Sequence, residues 1–246
     1  MNARFYVPEA REGLDRLELP EEEATHLSRV LRLKSGDTVS VFNGAGDEFA
    51  AIVDEVGKAR VTVQLQARLT ARAELPVVLT LAQAVLKGDK MDDVVRDAVM
   101  MGVAIIQPLV TVRSEVTLST LAHGGRRERW QRVAIASAKQ CGRAVVPAIA
   151  VPRSFDEEDA IAALPTPRFM LVEPGASAAH TAVHELADGC PAAATVIVGP
   201  EGGWTPQEVE RGLARAHPLT MGLLTLRADA ASTVAVAARL THWRAL

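Results

Sequence analysis

Residues 196–208 read VIVGPEGGWTPQE: an apolar run, a Gly-Pro-Glu-Gly-Gly turn, then the opening of a helix. Thr205, Pro206 and Glu208 stand at N-cap, N1 and N3, so TPQE is a capping box with proline at its favoured first position. The box uses the helix's first amides, which a phosphate would need free, and Glu201 sets a carboxylate beside them. The turn is neither G-x-x-x-x-G-K-[ST] nor G-x-G-x-x-G. Its glycines allow a flat or sugar-like ligand to approach the backbone, and Glu201 suits a hydroxyl donor or a positive charge. The plainer alternative is a tight turn with Glu201 in solvent.

Around this stretch, strands and helices alternate from residue 77 onward. VVLTLAQAVL reads as a strand and DKMDDVVRDAVMM as a helix capped by Gly102; VAIIQPLVTV is the next strand. A long helix over about 126–141, a short helix after Phe155, strand RFMLVE (168–173) and helix HTAVHELAD (180–188) follow. ATVIVG (194–199) is a strand, TPQEVERGLARA a helix, PLTMGLLTL a strand or loop, and an alanine-rich helix closes the chain. Such alternation argues for an α/β fold with a mostly parallel sheet, whose ligands sit beyond the carboxyl ends of the strands. Three turns qualify: EPGAS (173–177), GPEGG (199–203) and GLLTLRADAAS (222–232). Glu173 and Glu201, each in a glycine-containing turn, hint at a cationic or ribose-bearing ligand. In the third turn Asp229 or Ser232 can serve as a helix cap, and the alanines beyond allow close packing.

The first 72 residues read differently. Short β-like runs, DTVSVFNG (37–44), EFAAIVDEV (48–56) and ARVTVQLQA (59–67), are separated by turn signals. One helix, EEEATHLSRVLRL (21–33), precedes them, with His26, Arg29 and Arg32 on one side and Leu27, Val30, Leu31 and Leu33 on the other. The boundary falls at 72/73, within a linker over 70–76.

Hydrophobic residues make up 48% of the 246 and charged residues 23%, a globular composition. MNARFYVPEA lacks the apolar core of a secretory signal, no apolar run reaches the roughly 18 residues of a membrane span, and Cys141 and Cys190 stand singly. These features point to a reducing, cytoplasmic location. Net charge is −3, yet residues 113–143 hold seven Lys/Arg against two Glu, and HLSRVLRLK (26–34) adds three cations and no acid. Local patches of this kind are the footprint of phosphate binding, or else solvated helix faces. The six histidines are scattered, His180 and His184 lack the H-E-x-x-H form, and no metal site is expected.

Taken in order, RFYVPE, HLSRVLR, LAQAVLKGDKM, WQRVAIASAKQCGR, VGPEGGWTPQE and GLLTLRADAA resemble the 16S ribosomal RNA uridine-N3 methyltransferase family, of the SPOUT class, over essentially the whole chain. The resemblance implies a PUA-like β-barrel domain that binds RNA (1–72) and a SPOUT α/β domain (73–246) closed by a C-terminal trefoil knot. It implies S-adenosylmethionine as methyl donor, a homodimer, and methylation of a uridine at N3 in the rRNA of the 30S subunit. The cofactor pocket would be Glu173, Pro174, Gly199, Pro200, Glu201, Gly202, Gly203, Met221, Gly222, Leu226 and Arg227. Asp229 would be the base at N3, with Arg227 stabilising charge on the uracil oxygens. Arg4, Arg29 and Arg32 on the first domain, and Gln83, Lys87, Lys90 and Arg143 near the pocket, would meet RNA. The family's last motif commonly reads L-G-x-R-I-L-R-T-E-T-A; here Gly222, Leu226 and Arg227 match, and Asp229 stands where the family has glutamate. A nucleotide-dependent reductase and a catalytically silent RNA-binding or assembly protein are the rival readings; the first lacks G-x-G-x-x-G, and the second draws on ADA at 228–230.

Overall fold

The structure is a computed structural model describing residues 3–57, 60–175, 181–182 and 189–245. The chain divides into two compact units, residues 1–74 with 135–146, and residues 75–134 with 147–246.

In the first unit, β1 (Arg4–Tyr6), β2 (Arg16–Glu18), β3 (Thr38–Phe42), β4 (Glu48–Val56) and β5 (Val61–Leu69) form a sheet ordered β1-β3-β4-β5-β2. Only β1 and β3 run parallel. The sheet curls into a half-barrel, with β1 and β2 at the two ends of its strand order. Phe5, Val41, Val53 and Val63 fill its core, with Leu27 packed among them.

The helix expected over 21–33 divides. Helix α1 (Glu21–Thr25) gives way to a wider π-helical turn over His26–Leu31, and Arg32 follows in the left-handed region at φ 55°. The Arg32 amide donates to the Leu27 carbonyl, an i→i+5 bond that breaks the 3.6-residue period assumed from sequence. Leu27 is therefore buried, while Val30 and Leu31 are exposed beside Arg29 and Arg32.

The second unit holds a parallel sheet built from β6 (Val78–Ala84), β7 (Ile105–Val110), β8 (Ala148–Ile149), β9 (Arg153–Ser154), β10 (Arg168–Leu171), β11 (Thr181–Ala182), β12 (Ala193–Val198) and β13 (His217–Thr220). Its order is β11-β13-β10-β12-β6-β7-β8, with β9 also on β7. The inner strands are near-continuous apolar runs, as burial on both faces demands. Helix α2 (Lys90–Met100) ends as expected at Gly102: at φ 87° it lets the Gly102 amide reach Val99 and the Val103 amide reach Ala98, closing a Schellman motif. Helices α3 (Leu118–His123), α4 (Arg126–Cys141), α5 (Pro206–Leu213) and α6 (Ala228–His242) complete the described elements, and α6 packs on α2, β6 and β12.

Two expected helices are corrected. Residues after Phe155 run through turns, with Phe155, Ile161 and Leu164 buried as core side chains. Of HTAVHELAD (180–188), Thr181 and Ala182 pair with β13 as a strand; the rest, with His180 and His184, lies outside the described residues. Among the described residues no helix is long and apolar enough to cross a membrane.

Candidate active site

Strands β13, β10, β12 and β6 are consecutive neighbours. Their carboxyl ends bring together the turn after β10, the GPEGG loop after β12 and the loop between β13 and α6. A cavity of about 300 Å³ opens among them, at the low end of ligand-pocket sizes. Of the expected cofactor residues, Glu173, Pro174, Gly199, Pro200, Glu201, Gly203, Met221, Leu226 and Arg227 line it; Gly202 and Gly222 do not. Asp229 and Lys90 also line it. Leu171, Val172, Val198, Trp204 and Leu224 supply apolar wall that the sequence reading did not name.

The GPEGG loop is held on every side. Thr205 Oγ1 accepts from the Glu208 amide at 3.2 Å and Glu208 Oε2 from the Thr205 amide at 2.8 Å, the capping box read from sequence. The other Glu208 oxygen accepts from the Val112 amide at 2.9 Å, so both oxygens of the capping carboxylate are committed to protein. Trp204 Nε1 donates to the Leu171 carbonyl at 2.8 Å, and its ring lies against Gly199, where a Cβ would come within 2.9 Å. Arg113 Nη1 donates to the Gly202 carbonyl at 2.6 Å and the Trp204 carbonyl at 3.2 Å. Gly203 sits at φ 69°, where a side chain would meet Glu173. Trp204 follows the glycines directly and was open to notice; nothing local marks Arg113.

Glu201 does not point idly into solvent. Its Oε1 accepts from Lys90 Nζ at 2.9 Å and from the Lys87 amide at 3.1 Å. Burial acts to raise its pKa, but the Lys90 hydrogen bond and backbone amides prevail and hold the carboxyl below its ordinary range. Arg227 Nε and Nη2 each lie 3.2 Å from an oxygen of Asp229 in the first turn of α6. Asp229 is likewise depressed: burial opposes it, and Arg227 with the helix-start amides outweighs burial. The N-cap of α6 is Arg227 and makes no side-chain cap, so neither Asp229 nor Ser232 fills that role. The site thus offers carboxylates, backbone and apolar wall to a ligand, and the α5 terminus beside it is taken up by its own capping box. These are features suited to an adenosine-like body carrying a positive charge.

Several residues expected to meet RNA are committed elsewhere. All five donors of Arg4 are used: Nε and Nη2 on Glu48, both Nη1 hydrogens on the carbonyls of Ala138 and Lys139, and Nη2 again on that of Arg143. Arg143 is buried and paired with Glu74. Gln83 is 0% exposed, its amide bonded to protein. These three are corrected to structural positions, because each polar group already has its partners. Lys87 pairs its Nζ with Glu115 at 2.7 Å, on the surface. Arg29 and Arg32 are exposed. Within the basic run, Arg129 pairs with Asp89 and Asp92, Lys139 with Glu23, and Arg127 donates to the Ile149 carbonyl. Among the described residues no cluster of three or more His, Cys, Asp or Glu is placed to hold a metal.

Comparison with known proteins agrees with this geometry. The RNA methyltransferase domain family matches residues 73–240, and the RNA methyltransferase PUA domain matches residues 19–66. A ribosomal RNA small subunit methyltransferase E of Synechocystis is 32% identical over 213 residues, covering 86% of this chain and 68% of the relative. That of Bacillus subtilis is 28% identical over 224 residues, covering 88% and 86%. A crystal structure of ribosomal RNA small subunit methyltransferase E from Neisseria gonorrhoeae, bound to S-adenosyl methionine, superposes with a TM-score of 0.88 at 28% identity, covering 99% of this chain and 98% of that one. With a cavity built at three strand ends and matches spanning both units, this chain belongs to the RNA methyltransferase family, among the ribosomal RNA small subunit methyltransferases E.

Proposed function

We propose that this protein transfers a methyl group from S-adenosylmethionine to N3 of a uridine in 16S rRNA of the 30S subunit. In this reading it works in the cytoplasm as a homodimer whose second unit ends in a trefoil knot, and its first unit binds RNA. The observation that carries the reading is the cavity beneath the GPEGG loop, with Arg227 and Asp229 on its wall. It is supported by kinship with enzymes of that name, one crystallised with the donor.

Bound here, S-adenosylmethionine supplies an electrophilic sulfonium methyl group. Leu171, Val172, Leu224 and Leu226 would exclude water around the donor, and Gly199, Pro200, Glu201 and Gly203 would form the wall against it. Glu173 lends the pocket negative potential that suits a sulfonium, while the charge of Glu201 is balanced by Lys90. N3 of uracil carries a proton that must leave for its lone pair to react. Asp229, ionised by its pairing with Arg227, accepts or shares that proton. Arg227, 74% exposed along its side chain, is free to turn toward negative charge gathering on the uracil oxygens. Arg29 and Arg32 present cations for phosphate on the first unit.

The test is transfer of labelled methyl from S-adenosylmethionine to 30S subunits from a strain deleted for this gene, followed by mass spectrometry of the rRNA. N3-methyluridine at one site is the expected product. Donor binding without any methyl transfer would leave an RNA-binding protein in its place.

A further inference from the structure

We propose that Gln83 and Ser232 form a buried strut that sets the donor loop and the Arg227–Asp229 pair in register. Gln83 thereby acts as a positioning residue for methyl transfer; this inference rests on the function proposed above. Gln83 is the penultimate residue of β6, level with Val198 of β12, and neither its side chain nor that of Ser232 reaches the surface, at 0% and 2% exposed. Its Nε2 donates to its neighbour's carbonyl at Ala84 (2.9 Å) and reaches the Gly199 carbonyl at 3.4 Å. Two carbonyls at one end of the amide fix its orientation, leaving Oε1 to accept, and Ser232 Oγ donates to it.

The partners are not arbitrary. Gly199 opens the GPEGG loop, and Ser232 lies one turn after Ala228, whose carbonyl is 3.1 Å from the same hydroxyl. One uncharged amide thus touches the first residue of the cofactor loop and the helical turn that carries Asp229. A hydroxyl has a single proton, so its bond to Gln83 draws it from the i−4 carbonyl bond that bends helices. Neither group touches substrate. Their effect acts through placement of the loop relative to the base, to which transfer geometry is sensitive at the ångström scale.

The full-length protein, Ser232→Ala, Gln83→Leu and the double variant are compared with unmodified 30S subunits and labelled S-adenosylmethionine. Three quantities are read: the donor's Kd by calorimetry, the single-turnover rate at saturating donor, and the thermal midpoint. Ser232→Ala is expected to keep Kd within about threefold while the saturated rate falls about tenfold. Gln83→Leu falls at least as far, and the double variant no further than the worse single one. A role in stability alone would lower the midpoint and leave the saturated rate of folded enzyme unchanged, which overturns the strut. Should Gln83→Leu fail to fold, Ser232→Ala, which removes one hydroxyl, decides between the two roles by the same three quantities. A wild-type protein that transfers no methyl overturns the functional reading and the strut with it; an active wild type matched by both variants overturns the strut alone.

Discussion

Arg227 grips Asp229 through two separate nitrogens, Nε and Nη2, each 3.2 Å from a different carboxylate oxygen. The pair stands at the start of α6, where the helix amides add to the pull on the carboxylate. The candidate base is therefore kept ionised by its neighbour, while the neighbour is the group proposed to steady the developing anion. Removing Asp229 is expected to lower methyl transfer to 30S subunits about a hundredfold or more, with donor affinity little changed. Asp229→Ala and Asp229→Asn should behave alike, since both delete the negative charge. Equal transfer rates in wild type and either variant would remove Asp229 from the mechanism.

The same pairing fixes the pH dependence. Asp229 lies below the ordinary carboxylate range, so its ionisation is complete well under neutrality. The saturated rate should therefore stay level between about pH 6 and 8, because the base is already ionised and the uridine still carries its N3 proton across that window. A wild-type inflection in that window that vanishes in Asp229→Asn would mean the carboxylate titrates there.

Gly199 has an ordinary backbone but no room for a side chain. An alanine Cβ would sit 2.9 Å from the Trp204 ring, which is anchored by its bond to Leu171 and packed on Phe155 with centroids 4.8 Å apart. Gly199→Ala must therefore displace Trp204, at a cost of about 1–3 kcal/mol. Donor affinity should fall with it, because Trp204 forms part of the cavity wall. Calorimetric titration with S-adenosylmethionine reads this directly, and wild-type affinity in Gly199→Ala would show that the ring has space to move.

What the sequence disclosed followed the range of the interactions. Thr205 and Glu208 are three residues apart, so their capping box and its exclusion of phosphate were readable, as was the Gly102 cap of α2. The three ligand turns were readable too, because strand–turn–helix order survives without knowing which strands are neighbours. Gln83 was not, since its partners lie 116 and 149 residues away and nothing local distinguishes it from a polar residue facing solvent. Arg4 looked like a phosphate contact for the same reason: Glu48 and the carbonyls at Ala138 to Arg143 are remote in sequence. The helix over 21–33 failed differently. A helical wheel presumes a constant period, and the π turn at His26–Leu31 changes it within one turn.

Glu48 and Arg4 give a stability prediction. Burial would raise the Glu48 pKa, but hydrogen bonds from Arg4 and Ser40 and the charges of Arg4 and Arg72 hold it below the ordinary 4.5. The unfolded chain then takes up the proton first. The pair's stabilisation is complete above about pH 4.5 and is lost as pH falls through the lower folded value. Glu48→Gln strands the Arg4 charge among its remaining carbonyls and should cost roughly 3–5 kcal/mol near neutrality. Urea unfolding of both proteins at neutral and acid pH checks this: the gap between them should narrow on acidification, and a constant gap would separate it from the carboxylate.

Arg239 leads to the opposite expectation. It is 1% exposed on α6, its guanidinium centred 4.3 Å from the ring centroids of both Phe169 and Trp243. Its Nε and Nη1 find no acceptor among the described residues, and burial pulls its pKa down to about 10. The rings return some of the desolvation cost as cation–π attraction, up to about 2 kcal/mol, which falls short of the several kcal/mol a buried ion loses. Methionine, unbranched and similar in reach, keeps the ring contacts without the charge. Arg239→Met is therefore expected to match or exceed wild-type stability, whereas Arg239→Ala, which empties the slot between the rings, should lose about 2–4 kcal/mol. Chemical denaturation of the three proteins side by side distinguishes packing from charge. A methionine variant as unstable as the alanine one would show that the guanidinium is worth more in its stack than water would give it.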